Sequence, residues 1–307
     1  MVRGRSAWRD AVPAGLPEDA GRADAGAAFA RPQAGVTTLS HHDAEQLRDR
    51  LGLRGDVVRF EEGSLPVFAI GDDLVLKLWP PEHHDEVPTE VAVMEALYGK
   101  LPVPTPRLHD TGLLDDWAYV LMSRLHGSEP DVPDVEISVQ VGEMLAALHE
   151  VEPPDVLEPK DWAAFVAEQR AGCVEQQRKR DLSEHWLEQI PEFLDDVDLG
   201  DVRPVLLHTE VMSVHLLQQK GKLSGLFDFE PAMRGAFEYE FVGAGIFVTK
   251  GDQRCWKAMM DAYGRTPDPR RVMAYALLHV YSNMSWFMGE MPEADSLDEL
   301  AVRWFGV

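Results

Sequence analysis

Cysteine is scarce in this chain: Cys173 and Cys255 are the only two among 307 residues. Two thiols cannot build a disulfide framework, so a reducing, cytoplasmic location is expected. Long apolar runs are missing as well, and none approaches the ~20 residues that a membrane-spanning helix needs. Arg3, Arg5 and Arg9 near the start have no apolar stretch behind them, so no secretory signal is expected. Basic residues are the third shortage, with 29 Lys and Arg against 53 Asp and Glu and a formal charge of −24. Nucleic-acid backbones and anionic membranes recruit lysine and arginine, so this acidity argues against both as partners. A cationic small molecule suits it better. What is present is ordinary globular material, 45% hydrophobic and 27% charged. At roughly 150 residues per domain the length predicts two lobes, with ample chain to bury a core.

Ten Ala, five Gly and three Pro occupy half of residues 1–36 without an apolar period, which predicts a flexible tail. Ser40 is placed to cap a helix with Ala44, Leu47 and Leu51 on one face, stopped at Gly52. Short β-like runs follow at 57–60, 66–70 and 74–79, punctuated by turns at 61–64 and 71–73. A helix is predicted over 88–98, then a Pro-rich segment over 102–106 and a strand over 117–122, closed by Gly127. From about 135 the period becomes helical. Val141, Met144, Leu145 and Leu148 stand at i, i+3, i+4 and i+7, as do Trp256, Met259, Met260 and Tyr263. One β island interrupts this region at 205–208, 216–218 and 223–229, and 272–288 reads as a single buried closing helix. The expectation is therefore an α+β chain: a small β-rich N-lobe over 37–122, a hinge over 123–127, and a larger helical C-lobe over 128–307 with a central hairpin.

Two groups of residues carry chemistry. Lys77 lies inside an otherwise apolar strand, Leu74-Val75-Leu76-Lys77-Leu78. Alone it reads as an outward lysine that snorkels. Glu90, thirteen positions on at the start of the next helix, offers a carboxylate to its ammonium, and such a pair grips phosphate oxygens in kinase folds. The second group is His208-Thr209-Glu210 after an apolar strand, His215 seven residues beyond His208, and Asp228 at the end of another strand. Phosphoryl transfer needs one carboxylate to orient an attacking hydroxyl and another group to hold Mg²⁺ against phosphates. The bland reading makes Glu210 a surface acid and leaves the histidines bonded to backbone. His208, Glu210 and His215 could also hold Zn²⁺ in a metal-dependent hydrolase, although they lack i, i+4 helix pairing or a cysteine partner. His83-His84 and Arg178-Lys179-Arg180 read as solvated, and Cys173 carries no nucleophile signature.

Together these residues resemble the aminoglycoside phosphotransferase family, antibiotic kinases with a bilobal protein-kinase-like fold. The resemblance runs from about 55 to 290. Gly63-Ser64-Leu65-Pro66 looks like the family's nucleotide-covering hairpin, and Lys77 and Glu90 fall where its paired lysine and helix glutamate belong. Tyr119 through Gly127 is similar to the hinge, which implies Met122 behind the base and backbone groups of Ser123 and Leu125 bonded to it. Gly142 through His149 matches the helix signature G-x-x-L-A-x-L-H with one shifted position, Asp228-Phe229 fits the metal-binding aspartate, and Gly235 through Glu240 resembles the G-D-P-x-Y-D element.

Three positions depart from the family. Its loop H-G-D-x-x-x-x-N here reads His208-Thr209-Glu210, then His215, so glutamate replaces the catalytic aspartate and histidine the metal-binding asparagine. Glu240 likewise replaces the aspartate that supports the loop. The resemblance implies transfer of the γ-phosphoryl of ATP or GTP, with Mg²⁺, to a hydroxyl of an antibiotic or similar natural product, giving resistance. Glu210 would orient the acceptor, His208 would brace the loop, and Asp228 would hold the metal with help from His215. The replacements motivate an alternative, a pseudokinase-like protein that binds nucleotide without transfer. A monomer or weak dimer is expected. Residues 128–200 hold 19 acids against 5 bases, which predicts a negative acceptor cleft.

Overall fold

The computed structural model describes residues 41–60 and 63–306. The tail over 1–36, the Ser40 cap and the Glu61-Glu62 part of the first turn lie outside the described residues. The element order is α1 (His41–Arg50), β1 (Val57–Arg59), β2 (Val67–Ile70), β3 (Leu74–Trp79), a 3₁₀ turn (Pro81–Glu86), α2 (Val87–Leu97), β4 (Leu108–Leu114) and β5 (Trp117–Ser123). Then come α3 (Val135–His149), α4 (Trp162–Arg178), α5 (Glu184–Leu187), α6 (Gln189–Asp196), β6 (Val205–Leu207), a 3₁₀ turn (Ser213–His215), β7 (Leu216–Gln219), β8 (Lys222–Leu226) and β9 (Met233–Gly235). The chain ends in α7 (Phe237–Gly243), a π-helix (Ala244–Thr249), α8 (Gln253–Tyr263), α9 (Pro269–Leu278), α10 (Met284–Glu290) and α11 (Leu297–Phe305). This is the bilobal kinase-like α+β architecture. Among the described residues no helix is long and apolar enough to cross a membrane.

The first lobe is an antiparallel sheet in the order β1-β2-β3-β5-β4. Its central strand is β3, in register with Val67 on one side of Lys77 and Val120 on the other. Lys77, on this central strand, is only 5% exposed. Strand β4 was not legible in the sequence. Its residues Leu108–Leu114 are mostly exposed and show no apolar alternation, and pairing with β5 makes the strand. Thr111 Oγ1 donates to the Tyr119 carbonyl at 2.9 Å, and the Tyr119 hydroxyl donates to Asp110 at 2.7 Å. His83 and His84 are half-buried rather than solvated: His84 Nε2 accepts the Ala118 N–H at 3.2 Å, tying the 3₁₀ turn to β5.

In the second lobe Asp134 caps α3 by accepting the Ile137 N–H at 2.9 Å. The apolar stripe of α3 is fully buried against α8. The two helices cross so closely at Gly142 that a Cβ there would stand 2.3 Å from the Met259 carbonyl oxygen. The β island divides. Strands β7 and β8 form the expected hairpin. Residues 227–229 lie outside its strand, and β6 pairs instead with β9, a three-residue strand that the sequence reading missed. Gly127 packs against the β7–β8 hairpin: a Cβ there would meet Ser224 Oγ at 2.6 Å and the Gln218 carbonyl at 2.8 Å.

The single closing helix over 272–288 is corrected. The chain breaks between α9 and α10, and α11 follows as the last helix. The buried Gln177 amide explains the break: it donates to Ser282 Oγ at 2.7 Å and accepts the Met284 N–H at 3.0 Å. Arg180 donates to the carbonyls of Tyr281 and Ser282 at 2.7 and 2.5 Å, so it is a structural residue and not part of a solvated run.

His279, at this break, is fully buried and stacked on Tyr239 at 4.5 Å between ring centroids. Burial pushes its pKa down to about 3. The unfolded chain binds a proton near pH 6.5 that the folded one refuses. Stability is therefore complete above that pH and falls as the solution is acidified toward the folded value, by up to about 1.4 kcal/mol per pH unit. Denaturant unfolding between pH 7 and 4 is expected to show such a slope, and His279→Asn to remove this residue's share of it.

Candidate active site

The loop after β6 is held from below. The Glu240 carboxylate, with no solvent exposure, accepts the N–H of His208 at 2.6 Å and of Thr209 at 2.9 Å. Thr209 sits at φ +70°, a conformation that a β-branched residue keeps only when its surroundings dictate it. His149, at the end of α3, places Nε2 3.8 Å from the same carboxylate while its Nδ1 hydrogen-bonds the Tyr263 hydroxyl at 2.8 Å. The helix signature and the G-x-x-x-Y-E element thus meet beneath the loop.

His208 Nε2 donates to the Phe227 carbonyl at 3.0 Å, and its Nδ1 accepts the Glu210 N–H at 3.3 Å. Both ring nitrogens are therefore engaged with backbone, which fixes a neutral tautomer. Burial pushes the pKa down to about 4, against the nearby Glu240 charge. Neither nitrogen is open to a metal, so the zinc alternative lacks one of its two imidazoles.

Lys77 reaches across from the first lobe. Its Nζ lies 2.5 Å from Asp228 Oδ1, 2.6 Å from Glu230 Oε2 and 3.5 Å from Glu90 Oε2. The sequence reading paired Lys77 with Glu90 alone. Glu90 instead stands farthest from it and also accepts the Phe229 N–H at 2.8 Å, bracing the backbone next to Asp228. Glu230 was missed as a site residue, although a second carboxylate two positions after Asp228 was a visible signal. Burial alone would lower the Lys77 pKa, but Asp228, Glu230 and Glu90 outweigh it and hold it well above the ordinary lysine value. Burial also opposes ionisation of Asp228, yet Lys77 and His215 keep its carboxyl far below the usual range. Glu230 is pushed well above its ordinary value by burial and by Asp228. One ammonium cannot balance three buried carboxylates, and Glu230 is the one that most readily holds a proton. Glu90, Asp228 and Glu230 have oxygens within 4.8 Å of one another, but it is the Lys77 ammonium that bonds two of them directly.

The 3₁₀ turn over Ser213–His215 brings His215 back to this cluster. Its Nδ1 donates to the Glu210 carbonyl at 2.8 Å, and its Nε2 faces Asp228 Oδ2 at 3.3 Å. Glu210 itself is half-exposed beside these groups. Lys77, Glu90, Asp228, His215, Glu210 and His208 therefore form one connected network. Asp228 Oδ2 with His215 Nε2 is a donor set able to hold a divalent cation.

The remaining predicted residues stand apart from that network. Ser64 is exposed in the turn between β1 and β2. Met122 is buried on β5 opposite Val75. The Ser123 N–H donates to the Arg107 carbonyl at 2.9 Å and its Oγ accepts the Arg107 N–H at 2.8 Å. Leu125 packs over Gly225 of the hairpin. Glu129, six residues after β5, accepts from Ser213 Oγ at 2.6 Å, joining this segment to the loop after β6.

A family model described as the phosphotransferase enzyme family matches residues 56–275. No curated protein matches the sequence significantly. Several solved structures share the fold. A GDP complex of a variant aminoglycoside 2'-phosphotransferase-IIIa superposes with a TM-score of 0.64 at 16% identity, covering 86% of this chain and 93% of its own. The macrolide 2'-phosphotransferase MphH of Brachybacterium faecium gives 0.62 at 18% identity, covering 80% and 91%. The streptomycin–ATP ternary complex of APH(2")-IIa gives 0.59 at 14% identity, covering 83% and 98%.

Proposed function

The chain belongs to the phosphotransferase enzyme family, and from that premise we propose that it moves the γ-phosphoryl group of ATP or GTP to a hydroxyl of an antibiotic or similar natural product. The observation that carries this reading is the bonded chain Lys77–Asp228–His215, tied through the Glu210 backbone carbonyl to the loop that bears the Glu210 carboxylate, which sets a phosphate-gripping cation and a metal-binding carboxylate beside the loop of the hydroxyl-orienting residue. The names of the structural neighbours, which include enzymes for aminoglycosides and a macrolide, agree with such an acceptor.

Lys77 holds nucleotide phosphate oxygens, a role for which its permanent charge and its anchoring by Glu90 and Glu230 prepare it. Burial and the neighbouring Asp228 charge make Glu230 the carboxyl of the cluster that most readily takes up a proton. Asp228 and His215 are the residues to hold the divalent ion. When bound, that ion neutralises charge developing on the phosphoryl oxygens. Glu210 orients the acceptor hydroxyl and takes its proton late, since phosphoryl transfer relies mainly on positioning and charge neutralisation. His208 keeps its neutral tautomer and fixes the loop between Glu210 and Phe227. At the hinge, the Ser123 carbonyl and the Leu125 N–H read the base against Met122, and the Ser64 turn covers the phosphates.

Part of the acidity over 128–200 serves the fold: Asp134 and Asp161 cap helices, and Asp195 pairs with Arg170. The remaining acids favour a cationic acceptor through long-range attraction. Product detection by mass over a panel of hydroxylated antibiotics, with ATP and with GTP, tests the reading. Asp228→Ala is expected to abolish product and Glu210→Gln to lower kcat by about 10²-fold or more. Turnover by both variants at the wild-type rate would overturn the mechanism. Nucleotide-dependent thermal stabilisation with no product from any acceptor would mark a nucleotide-binding protein instead.

A further inference from the structure

The peptide plane that leads into Glu210 is held at both ends by buried imidazoles. Its N–H donates to His208 Nδ1 at 3.3 Å. Its carbonyl, that of Thr209, meets His279, a residue that takes no part in the proposed chemistry. His279 stands directly after α9 and leaves the helix with extended backbone, at ψ 139°. The Tyr281 N–H donates to its Nδ1 at 3.3 Å, so in the neutral ring the proton lies on Nε2. That N–H is a donor, and the Thr209 backbone faces the ring as its hydrogen-bond partner. The imidazole has no room to swing away. It has no solvent exposure, it stacks on Tyr239 at 4.5 Å and 19°, and the Tyr239 hydroxyl accepts the neighbouring Val280 N–H at 3.0 Å. Thr209 is equally confined at φ +70°, with its N–H bonded to Glu240 at 2.9 Å and its Oγ1 donating to the Pro231 carbonyl at 3.0 Å. Gly243 of α7 approaches so closely that a Cβ there would stand 3.4 Å from the Thr209 carbonyl oxygen.

We propose that His279 is a positioning residue: by donating from Nε2 to the Thr209 carbonyl it fixes the peptide that aims the Glu210 carboxylate at the acceptor hydroxyl. The proposal rests on the phosphotransferase reading for the role of Glu210. Rotating this peptide plane breaks two hydrogen bonds at once, in surroundings sealed from water where neither group finds another partner. A shift of about 1 Å in Glu210 is enough to cost about 10²-fold in rate. The break between α9 and α10 thereby acquires a task. Gln177 and Arg180 hold the backbone of Ser282 and Met284 open, so that the helix ends with His279 over the loop.

The test uses the whole chain. Imidazole ¹⁵N spectra of the wild type are expected to show a proton on His279 Nε2 that exchanges slowly with water, and none on Nδ1. A proton on Nδ1, or fast exchange at Nε2, overturns the proposal. This spectrum needs no variant, so misfolding of a variant leaves the decision intact. His279→Phe keeps an aromatic ring against Tyr239 but cannot donate, whereas His279→Gln returns an N–H near the place of Nε2. Folded His279→Phe is expected to lose about 10²-fold in kcat with the nucleotide KM within about twofold of wild type, and His279→Gln to recover about tenfold of that loss. A packing role alone would leave kcat intact in folded His279→Phe, or make the two variants alike, and either result overturns the proposal. Absence of product from the wild type with every nucleotide and acceptor would overturn the phosphotransferase reading alone, and the ¹⁵N spectrum would still decide whether His279 holds the loop.

Discussion

Lys77→Ala is expected to reduce kcat by about 10²–10³-fold, the usual consequence of removing one preorganised charge-stabilising donor, and to destabilise the fold by about 3–5 kcal/mol. The second effect follows from what the ammonium leaves behind. Asp228, Glu230 and Glu90 are clustered carboxylates, and removing the one cation bonded to two of them strands buried negative charge. The variant has a further signature. Without Lys77 the folded carboxylates have pKa values raised above their unfolded values, so the folded variant takes up protons that the unfolded chain does not. Acidification from pH 8 to 6 therefore narrows the deficit in Tm relative to wild type. A loss of activity with unchanged Tm, or a deficit that widens on acidification, would show that the cluster is not held by Lys77.

Glu240→Ala is expected to destabilise the protein by about 2–5 kcal/mol, because it leaves the buried N–H groups of His208 and Thr209 unsatisfied at about 1–3 kcal/mol each. Activity should fall by at least about 10²-fold, since Glu210 follows these two residues directly and a shift of about 1 Å suffices for that loss. Glu240→Asp separates the two roles. It keeps the charge but draws the carboxylate back by one methylene, so Thr209, already at φ +70°, must move or lose its bond. If Glu210 and Glu240 were fitted to each other, Glu210→Asp with Glu240→Asp will retain more activity than the product of the single losses predicts. Denaturant unfolding and kcat/KM on the four proteins measure both quantities. Additive losses would mean that the two glutamates are independent.

Residues whose role is set by local pattern were readable in advance. The α3 stripe of Val141, Met144, Leu145 and Leu148 is buried as its spacing required. The β7–β8 hairpin announced itself as two short apolar runs close together in the chain, at 216–218 and 223–229. Strand β4 did not, because an exposed edge strand has no apolar face to leave a pattern and exists through the bonds that β5 offers. The break between α9 and α10 was hidden for a related reason: the residues from 272 onward are apolar enough for one helix, but Gln177 and Arg180, about 100 positions earlier, hold the backbone open.

The sequence by itself marked out a β-rich first part and a mainly helical second part, because periodicity is a local property of a chain, and its short motifs carried the family resemblance that implied phosphotransferase chemistry. Only the tertiary structure decided how those residues share their bonds. It gave Lys77 to Asp228 and Glu230 before Glu90, tied both nitrogens of His208 to backbone, and turned His215 Nε2 onto Asp228. These assignments join positions up to about 150 residues apart. A hydrogen bond is won or lost over a few tenths of an ångström, a margin that spacing along the sequence does not encode.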